Sequence, residues 1–141
     1  MDHLLIDTDV LLDFLFDRQP FSDDAAKLLS LCDEGKIKGF ITSVMVSNIY
    51  YILRKNAGHE KVIESLKLLM NMVDVVTTDK QTIIEALHSG FKDFEDALQN
   101  FSAQNRADIT LIITRNVKDY KASRLSIMDP ETYLNLRNFS P

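Results

Sequence analysis

At 141 residues, with 45% apolar and 26% charged side chains, the chain is long enough to bury a real core and too apolar to stay disordered. No apolar run approaches the ~18 residues needed to span a bilayer, and no cationic and apolar leader follows Met1. The net charge of −5, from 16 basic and 21 acidic residues, argues against a protein that works by coating nucleic acid, but not against one that meets a polyanion through a divalent metal.

Apolar character alternates between short runs and longer helical periods. Leu4-Leu5-Ile6 reads as a strand covered on both faces, followed by a helix from about Val10. Pro20-Phe21-Ser22 opens a second helix, through about Asp33, with Gly35 placed to stop it. The single cysteine, Cys32, lies in the apolar end of that helix, which predicts a buried thiol and a reducing, cytoplasmic setting. Gly39 to Thr42 reads as a strand and Ser43 to Lys55 as a helix. Glu60 to Met70 is an amphipathic helix, Val73 to Val76 an edge strand, and Asp79 to His88 a helix. Asp93 to Asn105 is helical, with Phe94, Ala97, Leu98 and Phe101 on its apolar stripe. Ile109 to Ile113 and Leu125 to Met128 read as strands, and Pro130 starts a terminal helix.

Strands alternating with helices imply a single α/β domain over residues 1–141, with a central parallel sheet and helices on both faces. In such sheets the site lies beyond the carboxyl ends of the strands. Asp7 directly follows the first strand and Asp9 lies two residues on. Asp7 also suits a helix N-cap. Asp93, Glu95 and Asp96 open a helix, where Asp93 as cap and Asp96 at N3 suit the positive helix end. Three acids exceed what capping needs, and Asp96 borders the apolar stripe, where an acid calls for a cation. Thr114, Asn116 and Asp119 follow the fourth strand and offer oxygen ligands, suited to Mg²⁺ or Mn²⁺ rather than Zn²⁺. Arg115, Lys118, Lys121 and Arg124 surround Asp119. They form either a phosphate-binding cluster or a solvated basic loop. Asn48 shares a helical stripe with Met45, Ile49 and Ile52, so it faces inward and needs a partner. His3, His59 and His88 show no metal-ligand spacing and read as surface residues.

Four segments in order resemble the PIN-domain family: Leu5 to Asp13, Ile41-Thr42-Ser43 with Asn48 to Leu53, Phe91 to Leu98, and Ile113 to Tyr120. The resemblance covers nearly the whole chain. It implies a three-layer α/β/α fold and a Mg²⁺- or Mn²⁺-dependent endoribonuclease. It also implies a toxin held by a partner antitoxin, and a homodimer. Carried over by position, Asp7, Asp96 and Asp119 become the catalytic, metal-binding acids, with Asn116 beside them as a further ligand. Thr8, Asp9, Asn48, Asp93 and Thr114 become supporting residues. Arg115, Lys118, Lys121 and Arg124 become candidate RNA contacts. One departure is Asn48, where the family carries Glu; it removes a negative charge from the metal site. That loss keeps open a catalytically weakened PIN-like module that binds RNA or protein. A third reading, a phosphatase of the haloacid dehalogenase type, rests on Asp7-Thr8-Asp9 as its Asp-x-Asp opening, with Asp7 as nucleophile, Asp9 as acid/base and Thr42 at the second strand end.

Overall fold

The computed structural model describes residues 1–137. Its strands are β1 (His3–Ile6), β2 (Lys38–Thr42), β3 (Asp74–Val76), β4 (Leu111–Ile113) and β5 (Ser126–Met128). Its helices are α1 (Thr8–Leu15), α2 (Ser22–Asp33), α3 (Ser43–Arg54), α4 (His59–Met72), α5 (Lys80–Leu87), α6 (Phe94–Gln104) and α7 (Pro130–Leu136). A short 3₁₀ helix, Val117–Tyr120, follows β4.

The strands form one parallel sheet in the order β3-β2-β1-β4-β5. β1 is central, with Leu5 opposite Phe40 on one side and Ile112 on the other. Leu4, Leu5 and Ile6 are fully buried, as an unbroken apolar run in a doubly covered strand requires. Helix α2 packs on α1, α4 and α7, while α5 packs on α6, so the sheet is flanked on both faces. This is the expected three-layer α/β/α arrangement. Two glycines matter to it. Gly35, at φ 75°, ends α2 in the left-handed region. Gly39 lets β2 run close under α2, where a Cβ would lie 2.8 Å from Cys32 Sγ.

The chain steps outward from β1 through β2 to β3, then returns to the other side of β1 for β4 and β5. The reversal puts the switch in strand order between β1 and β4, beyond whose carboxyl ends the sites of such sheets lie. Two sequence expectations differ in detail. Helix α1 begins at Thr8, immediately after β1, because Asp7 itself caps it. Strand β4 is shorter than the apolar run, since Ile109, though buried, precedes the ladder.

Candidate active site

Asp7 extends β1 by one backbone bond, its N–H donating to the Ile113 carbonyl at 2.9 Å, and then turns into α1. The residue is 6% exposed. One carboxylate oxygen caps the helix, accepting from the Thr8 N–H at 2.7 Å; the other accepts from the Thr114 hydroxyl at 2.8 Å. Capping and site placement are thus one geometry. Asp9, in the first turn of the helix, ties down the loop after β4. Its Oδ2 accepts from the Arg115 N–H at 3.2 Å and from Asn116 Nδ2 at 3.0 Å. Its Oδ1 is buried without a hydrogen-bond partner, as is the Thr8 hydroxyl.

Helix α6 brings the second set. Asp93 caps it, accepting from the Asp96 N–H at 2.9 Å. Of the predicted apolar stripe Ala97 is buried and Leu98 and Phe101 are half-buried, but Phe94 points outward. Phe94 is 48% exposed, whereas Gln99 and Asn100 are 1% and 0% exposed. Asp96, Gln99, Asn100 and Ala103, spaced for one helical face, turn toward the site and core, and the small residues Ala97 and Ala103 are buried with them. The link between the two sets is Tyr120, 1% exposed at the end of the 3₁₀ helix. Its phenol oxygen lies 2.7 Å from Gln99 Oε1, 3.3 Å from Asp7 Oδ2 and 3.4 Å from Asp96 Oδ1. Asp7 and Asp96, remote in sequence, therefore flank one oxygen atom.

Asp93, Asp96 and Asp119 line an open pocket of about 520 Å³ together with Phe91, Lys118 and Lys121. No Lys, Arg or His ion-pairs with Asp7, Asp96 or Asp119 among the described residues. The carboxyl groups respond accordingly. Burial, then the Asp9 charge, pushes the Asp7 carboxyl up to about 7. Burial, then the Asp93 and Asp119 charges, raises Asp96 to about 6. Asp9 is raised too, chiefly by burial. These carboxylates are held near one another without the positive charge they call for. The donor set is all oxygen, and among the described residues Asp9 Oδ1 is buried without a well-placed hydrogen-bond donor. Both features fit a hard divalent cation. Among the described residues no three His, Cys, Asp or Glu side chains stand close enough to hold an ion by themselves.

The remaining predicted residues divide. Lys118 and Lys121 are exposed at the rim of the pocket, and Arg124 is exposed beyond it. Arg115 is already engaged. Its guanidinium holds Asp13 through two bonds of 2.6 and 3.1 Å and lies over the Phe21 ring at 4.1 Å. Asn48 is half-buried, as its stripe predicts, but its amide has no hydrogen-bond partner among the described residues. His59 and His88 are exposed; His3 is half-buried beside Phe40 and pairs with Asp108. Sequence reasoning assigned no role to Tyr120, Gln99 or Asn100. A tyrosine directly after a site acid, with polar residues three and four positions beyond Asp96, is the signal that was available.

The PIN domain family model matches residues 3–118, most of the chain. The chain belongs to this family. Solved structures agree on the fold. This PIN domain is similar to VapBC2 from Rickettsia felis, solved bound to a DNA fragment from its promoter. The TM-score is 0.69 at 13% identity, covering 90% of this chain and 98% of that one. It is similar to a toxin-antitoxin complex from Klebsiella pneumoniae, with TM-score 0.64 at 21% identity over 90% and 97% of the two chains. It is also similar to VapC20 from Mycobacterium tuberculosis, a sarcin-ricin-loop-cleaving toxin, with TM-score 0.58 at 13% identity over 77% and 86%. No curated protein matches the sequence significantly. Among the described residues no helix is long and apolar enough to cross a membrane.

Proposed function

We propose that this PIN domain is a metal-dependent endoribonuclease working in the cytoplasm, the toxin of a toxin-antitoxin pair. The observation that carries the reading is the pair Asp7 and Asp96, raised carboxyls flanking one phenol oxygen without a cationic side chain between them. Family membership points to nuclease chemistry, and the toxin-antitoxin neighbours supply the biological setting by similarity of fold. An antitoxin and a second copy of the chain are the protein partners this reading expects.

A Mg²⁺ or Mn²⁺ ion held by Asp7 and Asp96, with Asp119 adding negative charge from the pocket wall, would supply Lewis-acid stabilisation of the phosphodiester and an activated water. The chain's own residues do the rest. Thr114 fixes the rotation of the Asp7 carboxylate through its hydroxyl. Asp9 holds the backbone of Arg115 and the amide of Asn116, so the loop that carries Asp119 is set against β1. Lys118 and Lys121, exposed at the pocket rim, are placed to meet backbone phosphates. Arg115 leaves the RNA-contact set under this reading, because its guanidinium is spent on Asp13.

The uncharged Asn48 favours a second reading, a PIN module that binds without cleaving. No lysine is bonded to Asp7 among the described residues, which disfavours the phosphatase reading. One experiment decides. The purified chain is incubated with structured RNA in Mn²⁺, in EDTA, and in Mn²⁺ as Asp96→Asn. Cleavage confined to wild type with Mn²⁺ supports the nuclease. Cleavage that persists in EDTA and in Asp96→Asn sinks the metal mechanism, and RNA binding without cleavage selects the module.

A further inference from the structure

Tyr120 is buried with its ring edge-on to Phe91, the centroids 5.9 Å apart. Its oxygen has three oxygen neighbours, but a phenol carries one hydrogen. The 2.7 Å approach to Gln99 Oε1 lies within the usual range for an O–H···O bond, whereas the 3.3 and 3.4 Å approaches to Asp7 and Asp96 lie outside it. The hydrogen therefore belongs to the Gln99 bond. The amide is oriented with its oxygen toward Tyr120, which leaves Nε2 3.3 Å from Glu95 Oε1, and an ionised carboxylate there favours an N–H over a carbonyl oxygen. The phenol oxygen is left with its lone pairs toward two carboxylate oxygens. Once Asp7 and Asp96 are ionised, these oxygens face one another with no hydrogen between them and repel unless positive charge sits among them.

We propose that Tyr120 belongs to the cation site, its phenol oxygen serving beside Asp7 and Asp96 as a neutral ligand that Gln99 aims by accepting the hydroxyl proton. The inference rests on the metal reading above and deepens it. It adds a third oxygen, 3.3 and 3.4 Å from those of Asp7 and Asp96. It also gives a reason for a buried glutamine one turn from Asp96, on a helix face that packing alone would make apolar.

The test uses the metals themselves on the metal-free chain. The protein has no tryptophan and four tyrosines, so Tb³⁺ emission excited through tyrosine reports a nearby phenol. Of the other three, Tyr50 lies 2.8 Å from His59, Tyr133 donates to Asp2 at 2.7 Å, and Tyr51 is exposed on α3. Wild type should sensitise Tb³⁺, and Mn²⁺ should displace it. Tyr120→Phe keeps the ring and removes the oxygen. It should abolish the sensitised emission and weaken Mn²⁺ binding, measured by calorimetry, by ~10-fold or more. Gln99→Leu should weaken Mn²⁺ binding comparably while retaining emission at saturating Tb³⁺. The double variant should bind no worse than Tyr120→Phe, since both act through one hydroxyl. Unchanged Mn²⁺ affinity in Tyr120→Phe overturns the inference and leaves the two-carboxylate site standing. Should that variant fail to fold, unchanged affinity in Gln99→Leu overturns it equally. If wild type binds no Mn²⁺, the inference and the metal reading fall together.

Discussion

Asp7 and Asp13 lie at the two ends of the same short helix and are buried alike, 6% and 1% exposed, yet they are solvated in opposite ways. Asp13 is answered in full. Arg115 holds it with two bonds, and Arg18 approaches at 3.6 Å. Among the described residues Asp7 receives only neutral donors, a backbone N–H and the Thr114 hydroxyl, and it faces Asp9 and Asp96 besides. The first carboxylate closes a structural network that pins the loop after β4 to α1. The second is left short of positive charge. Burial does not distinguish a structural acid from a functional one; the charge of its partners does.

The sharpest way to break this contrast is to neutralise each acid in turn. Asp7→Asn should stabilise the metal-free protein by about 1 kcal/mol, as relief of a crowded functional site commonly does. The same change should cut RNA cleavage by more than the ~10–100-fold typical of outer metal-site partners. Asp13→Asn should cost about 3 kcal/mol of stability, because it strands Arg115 beside Phe21 with half its bonds lost. Its effect on cleavage should arise only through the fraction unfolded. Denaturant melts in EDTA, paired with cleavage assays well below the melting temperature, separate the outcomes. Two variants that move stability in the same direction would erase the distinction.

A smaller effect should appear in the pH dependence. Asp7, Asp9 and Asp96 have folded pKa values raised above the usual 3.8, to about 7 for Asp7 and about 6 for Asp96. Between 3.8 and those values the folded state binds more protons than the unfolded one, so stability falls as pH rises through that window. Asp2, Asp74, Asp79 and Asp108 are lowered, and their contribution is lost only below 3.8. The metal-free protein should therefore melt a few degrees lower at about pH 8 than at about pH 5. Mn²⁺ should restore the difference at the higher pH, since an ion replaces the missing protons. A melting temperature that climbs with pH in EDTA would mean that Asp7 already has its countercharge.

The fold was legible because buried parallel strands write themselves as short apolar runs, as Leu4-Leu5-Ile6 and Leu111-Ile112-Ile113 do. Asp7 and Asp96 were legible for a related reason, since each acid sits where a strand ends or a helix opens. What the sequence did not disclose was the side of α6 that turns inward. Apolar spacing selected Phe94, Ala97, Leu98 and Phe101, of which only Ala97 is fully buried, whereas Gln99 and Asn100 are buried too, because a helix over a polar site buries polar groups. Tyr120 was hidden for the same reason. A tyrosine next to an acid reads as packing until its oxygen is seen between two carboxylates. Arg115 looked like one of four loop cations, and only its distance to Asp13 sets it apart.

The smallest effect, and the one that most sharpens the contrast, belongs to Asn48. It is half-buried in the second turn of α3, the helix that springs from β2 beside β1, and its amide has no hydrogen-bond partner among the described residues. The resemblance to the family implies Glu at this position. A neutral amide offers one oxygen where a carboxylate offers a full charge, and Mg²⁺ sheds its waters reluctantly without such charge. Asn48→Glu should therefore tighten Mn²⁺ binding by about tenfold, which corresponds to ~1.4 kcal/mol, and raise the cleavage rate. It should also lower the melting temperature in EDTA, because one more carboxylate joins acids already short of positive charge. The two changes must occur together. A variant that loses stability without gaining metal affinity would place residue 48 away from the cation and return Asn48 to the helix packing. A variant with neither change would remove the second motif from the site altogether, leaving Asp7, Asp96 and Asp119 to account for whatever metal binding wild type shows.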